Sequence, residues 1–406
     1  PPPRPGGGGE GHRACSAPGA RPAPGSSLPG WPGSWAGREL PSAGRSGAMA
    51  AAPGAMERLL DFSQPLDIPL LDATVAAFYG SGPPAERQAA ERVLNSLKEH
   101  PETWTRVSTV LEASQSQNTR FFALQVLEEV IKFKWNALPA EQREGIKNYI
   151  TNVIIKMSSD EEAFRRGRVY VNKLNVALVH VLKHEWPHAW PSFLPDLVGA
   201  AKSSETLCEN CMAILKLLSE EVFDFARGEM TQQKTRELKD SLNREFALVH
   251  ELCEFVLAHS QRVELVRATL ETLHAFLSWV PLGYIFESTL VETLLKLFPL
   301  PPFRNVALKC LTEVGSLNVG SFYDSHFVKL YVVLMTSLGQ MLPRGVNIPE
   351  AYANGSDDEQ AFVQNLAQFL TGYLKVHLPL LEGSPEGQAA LLSGLEYLLG
   401  ISYVDD

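Results

Sequence analysis

The ten residues His184 to Phe193, His-Glu-Trp-Pro-His-Ala-Trp-Pro-Ser-Phe, hold residue types that bind a metal and activate water. His184, Glu185 and His188 fit the H-E-x-x-H pattern, in which two histidines on one helix face hold zinc and the glutamate serves as general base. That chemistry needs an unbroken helix across the five residues. Pro187 stands between the two histidines, removes a backbone donor and clashes with the preceding turn. Trp186, as the residue before a proline, is pushed out of the helical region. A third ligand is missing as well. The same residues therefore predict a corner: Trp186 and Pro187 end one helix, Trp190 and Pro191 steer the next, and Phe193 joins the two tryptophans as an apolar anchor.

Other reactive residue types are equally poor in arrangement. Cys208 and Cys211 have C-x-x-C spacing, but Cys253 and Cys310 stand alone and no second pair completes a zinc ribbon. Beside Leu207, Leu215 and Leu218 on a helix, the pair reads as buried free thiols that pack as small hydrophobes, a usage that fits a reducing compartment. No glycine-rich phosphate loop follows a strand pattern, and no Ser/His/Asp or Cys/His set emerges from ten histidines and five cysteines. The expectation is a protein that is not an enzyme, with no cofactor and no metal.

Charge narrows the partner. The net charge is −10, yet residues 1–48 carry five Arg against Glu10 and Glu39, a net +3 that leaves −13 on residues 49–406. An acidic body does not suit direct nucleic-acid binding, which needs clustered Lys and Arg against phosphates. It suits a basic protein surface. No uncharged apolar run reaches 18 residues, so no segment is expected to insert in a membrane, and no secretory signal opens the chain.

The elements that must carry any binding surface are helices. Residues 1–48 contain 12 Gly and 10 Pro, too little apolar surface to offset ordering entropy, so residues 1–57 are expected to form a disordered Pro/Gly/Ala/Arg-rich tail. Met49 or Met56 would be a more natural start, and the tail is expected to be upstream read-through; a mitochondrial presequence is disfavoured by the same Gly and Pro density. From about Leu66 the texture becomes helix after helix. Over Asn118–Trp135, Gln125, Glu128, Glu129 and Lys132 form one polar stripe on an otherwise apolar cylinder of Leu124, Val126, Leu127, Val130, Ile131 and Phe133. Over Pro84–Lys98, Gln88, Glu91, Arg92 and Asn95 oppose Ala89, Ala90, Val93, Leu94 and Leu97. Such broad apolar faces must be sandwiched between neighbours. Breaks at Gly80–Pro84, His100-Pro101, Leu138-Pro139, Ser158–Asp160, Trp186-Pro187, Ser203-Ser204, Arg227-Gly228, Pro281–Gly283, Pro299–Pro302, Pro343–Gly345 and Asn354–Glu359 divide the chain into about eight helical hairpins. Their period of roughly 42 residues lies in the range of HEAT and armadillo repeats. The predicted fold is all-α: an α-solenoid, or superhelix, of about eight HEAT repeats behind the tail. The last helix, Gln388–Leu399, is strongly apolar, and no polar capping repeat follows, so a truncated C-terminus is expected.

Several segments go beyond a generic repeat. They are Leu59–Gln64, Leu97–Pro101, Trp104–Val107, Glu144–Lys147, the Trp-Pro-x-x-Trp-Pro-x-Phe corner, Leu215–Phe225, Pro281–Glu287, Phe303–Val306 and Leu308–Glu313. In this order they resemble the amino-terminal third of importin-β-like exportins (karyopherins) that receive leucine-rich nuclear export signals, over about residues 57–406. The resemblance implies a domain order of first HEAT helices at 58–89, an importin N-terminal, Ran-binding module at 90–156, and further exportin repeats at 157–406. It implies binding of the Ran GTPase in its GTP form, with shuttling between nucleus and cytoplasm through the nuclear envelope pore. Export cargo and nucleoporins would be met only through later repeats. By the same resemblance the second helix of each early hairpin faces Ran, which places Gln88, Arg92, Asn95, Gln125, Glu128 and Lys132 on the candidate surface, continued by Asn210, Lys216 and Glu220. The alternative is a generic HEAT-repeat interaction scaffold that does not depend on Ran.

Overall fold

Helix boundaries follow local rules along most of the chain. The computed structural model describes residues 53–223, 230–343 and 345–404. The helices are α1 (Pro53–Met56), α2 (Ile68–Tyr79), α3 (Pro84–Glu99), α4 (Val107–Ala113), α5 (Gln117–Lys134), α6 (Ala140–Ser159), α7 (Glu161–Glu185), α8 (Phe193–Ala201) and α9 (Glu205–Phe223). They continue as α10 (Gln232–His259), α11 (Val263–Leu277), α12 (Gly283–Phe286), α13 (Leu290–Leu297), α14 (Arg304–Gly315), α15 (Asp324–Met341), α16 (Ile348–Asn354), α17 (Asp357–Glu382) and α18 (Pro385–Ile401). Among the described residues there is no strand. Side chains of Asp67, Ser116, Asp160, Thr231 and Ser384 each accept a hydrogen bond from a first-turn amide of the helix that follows. Each satisfies a donor that the helix itself leaves orphaned. Ser356 and Glu359 form a reciprocal capping box at α17.

Consecutive helices pack as antiparallel pairs: α2 with α3, α4 with α5, α6 with α7, α8 with α9, α10 with α11, α13 with α14, and α15 with α17. The second helices then stack on one another from α5 through α7, α9, α11 and α14 to α17, and α18 packs on both α15 and α17. The fold is an all-α solenoid of HEAT-like pairs. Its core is a set of layers, one per junction. In α9, Cys211, Met212, Ile214, Leu215 and Leu218 are all buried, because α7 flanks one side, α11 the other and α8 lies beneath. Each such Leu or Ile contributes about 1.5–3 kcal/mol on burial. Gly315 permits the close approach of α14 to α17: a Cβ there would stand 2.6 Å from the Tyr373 ring.

The structure differs from the sequence expectation in a few places. The stretch expected to be tail lies outside the described residues up to position 52, but Pro53–Met56 is helical, a 3-10 turn covers Glu57–Leu60, and Met56 is fully buried. Two helical turns are enough for Met56 and Leu59 to reach the α3 side of the first pair. Helix α8 starts at Phe193, so Pro191 precedes the N-cap Ser192 and does not occupy the first helical position. Pro379 lies inside the last turns of α17, where the chain tolerates it near a helix end. The expected break at Arg227-Gly228 and the residue Arg344 fall outside the described residues.

Candidate functional site

The polar stripes of the second helices divide into an exposed part and a laterally paired part. Gln88, Arg92 and Asn95, spaced i, i+4, i+7 on α3, are all exposed, while Ala89, Ala90, Val93, Leu94 and Leu97 on the opposite face are buried. One turn later the stripe is already tied to its neighbour. Lys98 Nζ lies 5.6 Å over the Phe122 ring and donates to Gln125 Oε1 of α5 at 3.1 Å.

Glu128 is the hub of the next junction. Its carboxylate pairs with Lys132 one turn on (3.0 Å), with Lys173 of α7, and stands 3.6 Å from His180 Nε2 of α7. The contact with His180 first, then those with Lys173 and Lys132, hold the Glu128 carboxyl well below the usual carboxylate range against the opposing effect of burial. Lys173 and His180 sit seven residues apart and so share one face of α7. That spacing was available in the sequence, but nothing in it said that this face meets α5.

The third junction corrects the sequence expectation for Asn210. It is fully buried, and its amide exchanges two hydrogen bonds with Asn175 of α7, at 2.8 and 3.2 Å. A helix covered on three sides cannot offer this residue to a partner, so Asn210 is an internal clasp. Lys216, half-buried, donates to Glu271 Oε2 of α11 at 2.9 Å. Lys183 of α7 pairs with Glu221 of α9. Ser219 donates to the Ala275 carbonyl at 2.8 Å and accepts from Trp279 Nε1 at 3.3 Å. Glu220, between these paired residues, is exposed. The candidate residues thus fall into three groups: Gln88, Arg92, Asn95 and Glu220 on open surface; Gln125, Glu128 and Lys216 in half-buried inter-helix pairs, with Lys132 joined to Glu128 within α5; Asn210 in the core.

The Trp-Pro corner is built from both sides. Trp186 is fully buried, and its carbonyl accepts from Lys234 Nζ of α10 at 3.1 Å. Trp190 packs edge-on against Phe193 at 5.2 Å and carries Lys147 Nζ over its face at 5.0 Å. Pro187 lies in the turn that follows α7. His184 sits in the last turn of α7, stacked on Trp135 at 6.1 Å, whereas His188 lies in the exposed turn beyond. The two histidines therefore do not share a helix face, and Glu185 accepts from Trp135 Nε1 at 2.8 Å and faces Arg143 at 3.3 Å. Its carboxylate is engaged as an inter-helix strut. Burial pushes the Cys208 thiol up to about 12 and raises those of Cys211, Cys253 and Cys310 as well. Such thiols stay protonated at neutral pH and are poor nucleophiles.

Comparison with known proteins places this arrangement. A family model described as exportin 1-like protein matches residues 167–311, from within α7 into α14. A second, described as importin-beta N-terminal domain, matches residues 90–156, from within α3 into α6. The chain is 61% identical over 352 residues to Protein EXPORTIN 1B of Arabidopsis thaliana, covering 87% of this chain and 33% of that protein. It is 49% identical over 350 residues to Exportin-1 of Drosophila melanogaster, with 86% and 33% covered. It is 43% identical over 362 residues to Exportin-1 of Dictyostelium discoideum, with 86% and 34% covered. The chain spans about a third of the length of the curated relatives it matches.

Proposed function

We infer that this chain, which belongs to the exportin 1-like family, supplies the GTPase-gripping repeats of a nuclear export receptor. The observation that carries the reading is the coincidence of the importin-beta N-terminal match at 90–156 with the open polar face of α3 beside it. Gln88, Arg92 and Asn95 are the residues we assign to direct contact with Ran in its GTP form, with Glu220 a further exposed position. Gln125, Glu128, Lys132 and Lys216 act mainly by fixing the spacing of α3, α5, α7, α9 and α11. Mixed polar faces of this kind give register and steering in an encounter. The protein works as a binder without chemistry of its own, shuttling between nucleus and cytoplasm. Leucine-rich cargo and nucleoporins are assigned to other repeats of the receptor.

The test is binding of the full chain to Ran loaded with a non-hydrolysable GTP analogue or with GDP. The GTP form should bind more tightly, and Arg92→Glu combined with Asn95→Ala should weaken that binding by roughly tenfold or more, the loss of one to two interface contacts. Equal affinity for both nucleotide forms would return the chain to the alternative, a Ran-independent scaffold.

A further inference from the structure

At the junction of α7, α9 and α11, successive rungs of side-chain contacts run along α9. Ser260 donates to Glu205 at 2.7 Å, Asn175 clasps Asn210, Thr272 donates to the Met212 carbonyl at 2.9 Å, and Lys216 and Ser219 hold α11. One rung differs. Glu209 is buried, yet neither of its carboxylate oxygens has a hydrogen-bond partner among the described residues. Arg168 of α7 stands 3.1 Å from Oε1 without hydrogen-bond alignment, and Arg262, the N-cap of α11, stands 3.6 Å from Oε2.

Arg262 is turned elsewhere. Its Nη1 donates to Glu161 Oε1 of α7 at 2.8 Å, and its Nε, also buried, has no hydrogen-bond partner. Glu161 is largely exposed, whereas Glu209 is not. One guanidinium therefore has three carboxylates in reach: the exposed Glu161 of α7, which it satisfies, the exposed Glu264 of its own helix at 3.9 Å, and the buried Glu209 of α9, which it leaves short. Burial raises the Glu209 carboxyl, with Arg168 and Arg262 only partly opposing it, as an under-compensated buried charge should.

We propose that Arg262 is a two-position latch between the third, fourth and fifth helix pairs. In one position it bridges from α11 to Glu161 of α7. In the other it swings its fork onto Glu209 and draws the start of α11 toward α9. Each position fixes a different rotation of the fifth pair on the fourth. The two are close in energy because an exposed, well-aligned ion pair is exchanged for a buried one that is costly to leave unmade. Solenoid curvature is a sum of such junction rotations, so a partner that prefers either rotation would shift the latch in proportion to its differential affinity. The proposal does not depend on which partner that is.

The latch is tested by electron–electron distance measurement in the full chain, with Cys15→Ser and spin labels at Asn172→Cys and Gln261→Cys, both exposed positions. The native thiols of Cys208, Cys211, Cys253 and Cys310 are buried and do not take label. Glu161→Gln should free Arg262 for Glu209 and lengthen the distance, changing the ratio of the two populations by roughly two- to fivefold, the worth of an exposed pair. Glu209→Gln should move the distribution the opposite way. Shifts in the same direction, or none, would overturn the latch. If Glu209→Gln fails to fold, as shown by circular dichroism, Glu161→Gln decides alone: no lengthening overturns the proposal.

Discussion

Glu128 illustrates how a residue with the right type and spacing for an interface can be spent inside the fold. Its three cationic or protonatable neighbours come from two helices, so removing its charge leaves Lys132 of α5 facing Lys173 and His180 of α7 with no carboxylate between them. We expect Glu128→Gln to lower stability by about 2 kcal/mol at neutral pH, between the worth of an exposed pair and that of a buried one. The folded-state carboxyl is depressed below its ordinary value of 4.5. Its contribution is therefore fully present above that pH and is lost as pH falls below it. Urea melts of wild type and variant should differ at pH 7 and converge toward pH 3; a pH-independent gap would assign the effect to packing. The stripe Gln125, Glu128, Lys132 was legible from helical periodicity alone. That Lys173 and His180 would meet it was not, because the sequence fixes which face of α7 they occupy and says nothing of what that face touches.

At the scale of elements, most boundaries were written locally. Proline, glycine and capping side chains sit where the helices stop and start, from Gly80–Pro84 through Asp160 to Ser356. The segments that carried the family resemblance mark joints between elements. Phe62 is stacked on His100 at 3.6 Å and covered by Arg106 at 4.2 Å, and Arg106 also donates to the Phe62 carbonyl at 2.6 Å. Arg304 and Asn305 reach from α14 to Asp358 at the start of α17, each at 2.8 Å. The capping box beside that joint gives a direct test. Ser356→Ala should cost about 1 kcal/mol, as N-cap losses do, and should speed hydrogen exchange in the first turn of α17 without changing α5 or α7. An unchanged first turn would show that the Arg304–Asp358 joint holds the helix start by itself.

For the whole molecule, helix pairs pack mainly on their neighbours, with side-chain bridges such as Arg262–Glu161 reaching one pair further, so damage should stay near its source. Leu308 of α14 is fully buried, and Leu308→Ala should cost about 2–5 kcal/mol through the cavity it leaves. Hydrogen exchange should then rise in α11, α14 and α17, with α2 to α5 unaffected; a uniform rise would show one cooperative unit in place of a chain of junctions. The sequence alone determined the helical class, the pair-by-pair punctuation and the Trp-Pro corner, because periodicity, caps and prolines act over a few residues; the family rested instead on the resemblance of its ordered segments. It misjudged the tail boundary, where Met56 is fully buried, and the exposure of Asn210. Only the tertiary structure decided which polar residues remain open to a partner. Gln88 and Asn210 are both polar residues on second helices, yet α3 leaves its stripe exposed while α9 is covered by α7, α8 and α11. A polar side chain declares what it can bond to; the helix laid beside it determines whether that bond is made within the protein or left for another molecule.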